Sequence, residues 1–196
     1  MIRLRSRVRL VSQVRHGAVL RLPGSAPEQA AAIVAIDTQE AAVEGFRIIG
    51  DAATPLGTGV VVRNSSVSLS QIRISGAAQV AIDAGPMSRV AITANDLRDN
   101  PGAAVAMRAG SRATITHSVF VRNGASAPAA APLIIEEGSA PEFIANVFYG
   151  ITPDALTGSS EARTALIRDN WFVDPRTFRV ARPPARPREG PGREQR

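Results

Sequence analysis

The chain has 196 residues, 44% of them hydrophobic, with no cysteine and with Arg as every one of its 23 basic side chains. This is the size and apolar content of one globular domain, and it excludes a disulfide framework, thiolate metal ligation and lysine nucleophiles. The net charge of +6 is uneven: residues 1–21 carry six Arg and no acid, residues 22–173 ten Arg against fourteen acids, and residues 174–196 seven Arg against three acids. A mildly acidic body with only eight aromatic residues lacks the basic, aromatic-interleaved surface of a nucleic-acid binder.

At the start, Ile2, Leu4, Val8 and Leu10 alternate with Arg3, Arg5, Arg7 and Arg9, the period of a half-buried strand. No apolar run there or elsewhere approaches the roughly 18 residues of a membrane-spanning helix, so no membrane association is expected. A chain that begins inside β-structure leaves an open backbone edge, and the expected cover is an earlier part of a longer chain or another subunit.

From residue 33 onward the sequence repeats itself. Ile92-Thr93-Ala94-Asn95-Asp96-Leu97-Arg98-Asp99-Asn100 is answered by Ile115-Thr116-His117-Ser118-Val119-Phe120-Val121-Arg122-Asn123. The same phrase, anchored on its first apolar residue, recurs at Val43, Leu69, Ile92, Ile115, Phe143 and Ile167. Five residues on, a second apolar row runs Ile48, Ile74, Leu97, Phe120, Phe148 and Phe172. Each unit also holds a short Val/Ile run, as in Val34-Ala35-Ile36, Val60-Val61-Val62, Val80-Ala81-Ile82, Val105-Ala106-Met107 and Leu133-Ile134-Ile135. These runs are too short for helices and fit strands. Two or three strands per unit, stacked in register, predict an all-β right-handed parallel β-helix of about six coils over residues 1–173.

Between the two apolar rows lie Phe46, Ile72, Asn95, Ser118, Asn146 and Asn170. An Asn can stand inside such a stack only with its amide hydrogen-bonded, so these positions predict a ladder lining a turn. Units such as "VAITANDLRDN", "ATITHSVFVRN" and "EFIANVFYG" resemble the parallel β-helix repeats of the pectin-lyase-like superfamily. That resemblance implies a polysaccharide lyase, a glycoside hydrolase or epimerase, or a binding or structural module, because the matching residues are the structural ones.

Two charged constellations stand out. After the short strands come Asp37, Arg63, Asp83, Arg108 and Glu136, whose alternating signs predict a ladder of surface ion pairs, not a calcium site. Arg73, Asp96, Arg98, Asp99 and Arg122 form the densest charged group and are the candidate binding residues; as loop charge they are expected to be solvated. The paired carboxylates with Gly-His-Gly of the superfamily's polygalacturonases and the Asp-Pro-Glu-Gly of its epimerases are absent, and Asp96 with Asp99 makes a poor glycosidase pair. His117 has no second ligand at metal spacing, so neither metal nor other cofactor is expected.

The expected function is therefore a non-catalytic β-helix scaffold or binding module for a polysaccharide or an extended protein segment. The alternative, a polysaccharide lyase or glycoside hydrolase, requires Arg73, Asp96, Arg98 and Arg122 to line one groove. Residues 174–196, rich in Pro, Arg and Gly, have little to bury and are expected to be a disordered tail.

Overall fold

The computed structural model describes residues 1–124, 131–151, 166, 169–176 and 179–181. Its strands form three sheets. The first contains β1 (Ile2–Arg3), β4 (Ala31–Ile36), β7 (Leu56–Arg63), β10 (Ala77–Ala84), β13 (Ala103–Met107) and β16 (Leu133–Ile135). The second contains β2 (Arg9–Val11), β5 (Ala41–Glu44), β8 (Ser66–Ser70), β11 (Arg89–Thr93), β14 (Arg112–Thr116) and β17 (Ala140–Ile144). The third contains β3 (Val19–Leu20), β6 (Arg47–Ile49), β9 (Arg73–Ser75), β12 (Asp96–Arg98), β15 (Val119–Val121), β18 (Val147–Tyr149), β19 (Trp171–Asp174) and β20 (Arg179–Ala181). Through β18 every third strand joins the same sheet, so the chain winds as a parallel solenoid of six strand triplets with five stacking steps between them, and β19 and β20 extend the third sheet.

The repeat is the core. Val43 pairs with Leu69, Leu69 with Ile92, Ile92 with Ile115 and Ile115 with Phe143. The second row is also in register, from Ile48 through Ile74, Leu97, Phe120 and Phe148 to Phe172. Both rows are buried; Ile167, placed in the first row by its spacing, lies outside the described residues. At the C-terminal end the second row becomes a column of rings, with Phe120 and Phe148 stacked at 4.6 Å and Phe148 and Phe172 at 4.9 Å.

The turn from the second sheet to the third needs one residue in the left-handed region. Gly45 (φ 80°) fills it in the second coil, but Gln71 (52°), Ala94 (55°), His117 (51°) and Ala145 (55°) fill it in the next four. Such φ values are uncommon for side-chain-bearing residues, and the adjacent amide ladder holds the turn in place. Asn95 accepts from the Ile72 N–H (2.7 Å) and donates to the Leu69 carbonyl (2.9 Å). Ser118 Oγ accepts from the Asn95 N–H (3.1 Å), and the Ser118 N–H donates to Asn146 Oδ1 (2.9 Å). Asn146 donates from its own N–H to Asn170 Oδ1 (2.9 Å) and from Nδ2 to the Ile115 carbonyl (2.7 Å). A second ladder closes the third sheet: Asn100 accepts from the Ala77 N–H (3.0 Å) and donates to Asn123 Oδ1 (2.8 Å), while Asn123 donates to the Leu97 carbonyl (2.8 Å).

The two ends differ. β1, β2 and β3 are each paired on one side only, and Ile2, Leu10 and Leu20 are half-buried where their partners Ile33, Val43 and Ile48 are fully buried. At the other end β20 folds back antiparallel on β19. Regular structure thus extends past residue 173 into the segment expected to be a disordered tail; residues 182–196 lie outside the described residues.

Leu97→Asp puts an unpaired charge between Ile74 and Phe120 and should abolish the cooperative unfolding transition, whereas Leu97→Ala should cost about 2–5 kcal/mol in urea denaturation. Asn146→Ala orphans the buried Ser118 N–H, at about 1–3 kcal/mol. Wild-type stability of Leu97→Asp would remove the register described above.

Candidate functional site

Two of the candidate residues flank Leu97 on β12. Because Leu97 points inward, Asp96 and Arg98 face out of the third sheet, where Arg73 of the preceding coil is the register partner of Asp96. Arg73 Nε donates to Asp96 Oδ2 (2.8 Å) and Arg98 Nε to Asp96 Oδ1 (2.6 Å). Asp96 is only 8% exposed, so it is a buried, doubly bridged strand residue and not the solvated loop charge expected from sequence. Its hydrogen bond raises the Arg98 pKa. Asp99 and Arg122 form a separate pair, with Arg122 Nε 2.6 Å from Asp99 Oδ1. The five residues therefore divide into a trio and a pair, and in both every carboxylate is already occupied by guanidinium.

The charge column forms from Arg63 onward. Arg63 bridges Asp83 (2.5 Å), Arg108 meets Asp83 (3.1 Å) and also Glu136 (2.8 Å). Arg108 holds the Glu136 carboxyl below its usual pKa. Asp37 departs from the column and accepts instead from Asn64 Nδ2 (2.7 Å). Asp83 is 8% exposed, so this is not a purely surface ladder.

His117 is exposed, as its place in the turn demands. His16 is different. Burial first, then the nearby charges of Arg73 and Arg15, push its pKa down, and its Nε2 is buried without a hydrogen-bond partner, as is Arg47 Nε. No cluster of three or more potential metal ligands occurs among the described residues.

A groove of about 600 Å³ runs along the outer face of the second sheet. Its floor is one register row of small side chains, Ala42, Ser68, Ala91 and Thr114, bounded at its ends by Arg9 and Glu142. Beside the floor, Arg89 is paired in register with Ser66 on one side and Arg112 on the other, and Glu40 precedes β5. Neither the Arg89 nor the Arg112 guanidinium has a hydrogen-bond or ion-pair partner among the described residues, although both are exposed. Like charges directly opposite on adjacent strands are destabilising, so this pair is an uncompensated positive feature of the surface. The sequence held a signal for this face in the alternation of "SVSLS", "RVAIT" and "RATIT", where buried Val, Ala, Leu and Ile leave only small or basic residues pointing out.

The family described as right handed beta helix region matches residues 34–178. No curated protein and no solved structure matches the chain.

Two measurements check the electrostatics. Hydrogen bonds from Arg21, then from the Thr54 backbone and hydroxyl, lower the Asp51 pKa from 3.8 to about 2. The associated stabilisation is present above the unfolded value and fades as pH falls through about 2; in an NMR titration Arg21→Ala should return the midpoint toward 3.8. Asp83→Arg, which places three like charges in one column, should destabilise far more than removal of the exposed Arg7–Glu40 contact (3.7 Å), a loss of about 1 kcal/mol or less. Added salt should recover part of the Asp83→Arg effect.

Proposed function

The chain belongs to the right handed β-helix region family, and from that premise we propose that it is a non-catalytic scaffold that docks an extended partner along the outer face of its second sheet. The observation that carries this reading is a contrast in charge. The pair at Asp99 and the column at Asp83 are charge-balanced, and both guanidiniums of the trio are bridged to Asp96, whereas Arg89 and Arg112 stand beside an open, small-residue floor with no partner among the described residues. Charges already bridged at 2.5–3.1 Å have little left to offer a ligand, and an uncovered guanidinium pair has its full hydrogen-bonding capacity.

The same contrast weakens the catalytic alternative. A lyase or hydrolase of the pectin-lyase-like type needs a base or paired carboxylates free to meet one sugar, and Asp96 and Asp99 are both engaged. The trio also lies on the third sheet, away from the groove on the second. A polysaccharide or a protein surface remains the matching class of partner, since both can lie flat across several coils.

The test joins a glycan array to a uronate-lyase absorbance assay on the same sample. With polygalacturonate or alginate and calcium, no unsaturated product should appear above background. A rate that Arg98→Ala removes would overturn the non-catalytic reading. Whatever partner is found, Ala91→Trp should abolish its binding by filling the groove floor. Because Ala91 is exposed, thermal stability should stay within about 0.5 kcal/mol of wild type.

A further inference from the structure

The outer face of the second sheet is complementary to itself. Its residues stand in three register rows along the solenoid axis. The first runs Ser66, Arg89, Arg112, Ala140, with Glu40 beside it in the turn that enters the second coil's strand; the second Arg9, Ala42, Ser68, Ala91, Thr114, Glu142; the third Val11, Glu44, Ser70, Thr93, Thr116, Ile144. We propose that a second copy of this chain seats on this face with its axis antiparallel, an inference that rests on reading the face as a docking surface.

A two-fold axis in the plane of contact, parallel to the strands, keeps each row facing its own row and reverses the order of the coils. The first coil then meets the sixth, the second the fifth and the third the fourth. Beside the first row Glu40, at the second coil, comes to the Arg112 of the second copy's fifth coil. In the second row Arg9 faces Glu142, Ala42 faces Thr114, and Ser68 faces Ala91. In the third row Val11, 48% exposed, faces Ile144, and Ser70 faces Thr93. Each charged contact occurs twice by symmetry, as an isologous interface requires, and Arg112 gains a carboxylate that the described residues of its own chain do not provide. Glu40 and Arg9 can exchange partners, because their contacts within the chain, Arg7–Glu40 at 3.7 Å and Arg9–Glu44 at 3.3 Å, are longer than the bridges at Asp83 and Asp96 and hold mostly exposed arginines. The flat floor of Ala, Ser and Thr allows close approach of two sheets.

Charge also selects the orientation. With the two axes parallel, every residue of the central row would meet its own copy, Arg9 on Arg9 and Glu142 on Glu142. Like charges would then face each other at both ends, a penalty that the antiparallel arrangement converts to attraction. The face is small: six strands about 4.8 Å apart and about five residues wide give about 400 Å² per copy. That is roughly half the usual share of a stable interface, so the dimer is weak and concentration-dependent.

Sedimentation velocity of the full chain from about 10 µM to about 1 mM should show a reversible monomer–dimer equilibrium. Arg112→Glu alone and Glu40→Arg alone should each shift it to monomer at least tenfold, and the double variant should restore it, because the swap exchanges both members of each pair across the two-fold. The absence of native cysteine makes introduced thiols specific reporters of orientation. Oxidised Ala42→Cys/Thr114→Cys should yield a covalent dimer, while neither single variant does. Monomer throughout the range, a dimer indifferent to Arg112→Glu, or cross-linking by Ala42→Cys alone would each overturn the antiparallel copy. A monomer that binds an array glycan, with binding lost in Ala91→Trp, would overturn the second copy while leaving the docking face in place. A monomer with no Ala91-dependent binding would sink both.

Discussion

Everything in this molecule follows from stacking one coil on the next in register, at the spacing of hydrogen-bonded strands. Each residue has for neighbours the residues at the same position one coil before and one coil after, so whatever occupies a column must be compatible with itself or with a chosen alternate. For Leu, Ile and Phe that condition is met by burial. An amide meets it by donating to a carbonyl and accepting from an N–H of the preceding coil, as Asn95, Asn146 and Asn170 do. A single carboxylate or guanidinium inside the stack could not.

Outside the stack the same rule governs charge. A column of like charges repels, and the protein resolves this in two ways. Along the first sheet Arg63, Asp83, Arg108 and Glu136 alternate in sign, and along the third Asp96 is held between Arg73 and Arg98. Along the second sheet Arg89 lies on Arg112 with neither bridged to an acid among the described residues, whereas in the corresponding arginine pair of the third sheet, Arg47 on Arg73, Arg73 is held by Asp96.

The fold was legible because a column is also a sequence period. Val43, Leu69, Ile92, Ile115 and Phe143 could be aligned by counting, and their registers match the count. The Asn ladder was legible for the same reason, since an amide recurring in an apolar row has few other physical roles. What counting could not supply was depth. Asp96 and Asp83 read as surface charge because a carboxylate in a polar stretch usually is one, yet neighbouring arginines from adjacent coils cover them. The groove was hidden for the opposite reason: Ala91 and Ser68 carry no chemistry of their own, and they matter by what they leave open. The left-handed turn at Gln71, Ala94, His117 and Ala145 was equally invisible, because only Gly45 in that column announces such a backbone.

The aromatic column gives the solenoid a direction. Phe120, Phe148 and Phe172 form a continuous stack at one end, where the last strand folds back on its neighbour, while at the other end the first 19 residues hold five of the seven large exposed apolar residues among those described, Met1, Val8, Val11, Val14 and Val19. In a quasi-one-dimensional molecule each coil is secured only by its neighbours, so order has a preferred place to nucleate and a preferred place to fray. Folding would spread from the phenylalanine end toward the arginine end, and thermal opening would retrace it, making the first coil the part of the protein most readily exchanged or remodelled while the rest stays wound.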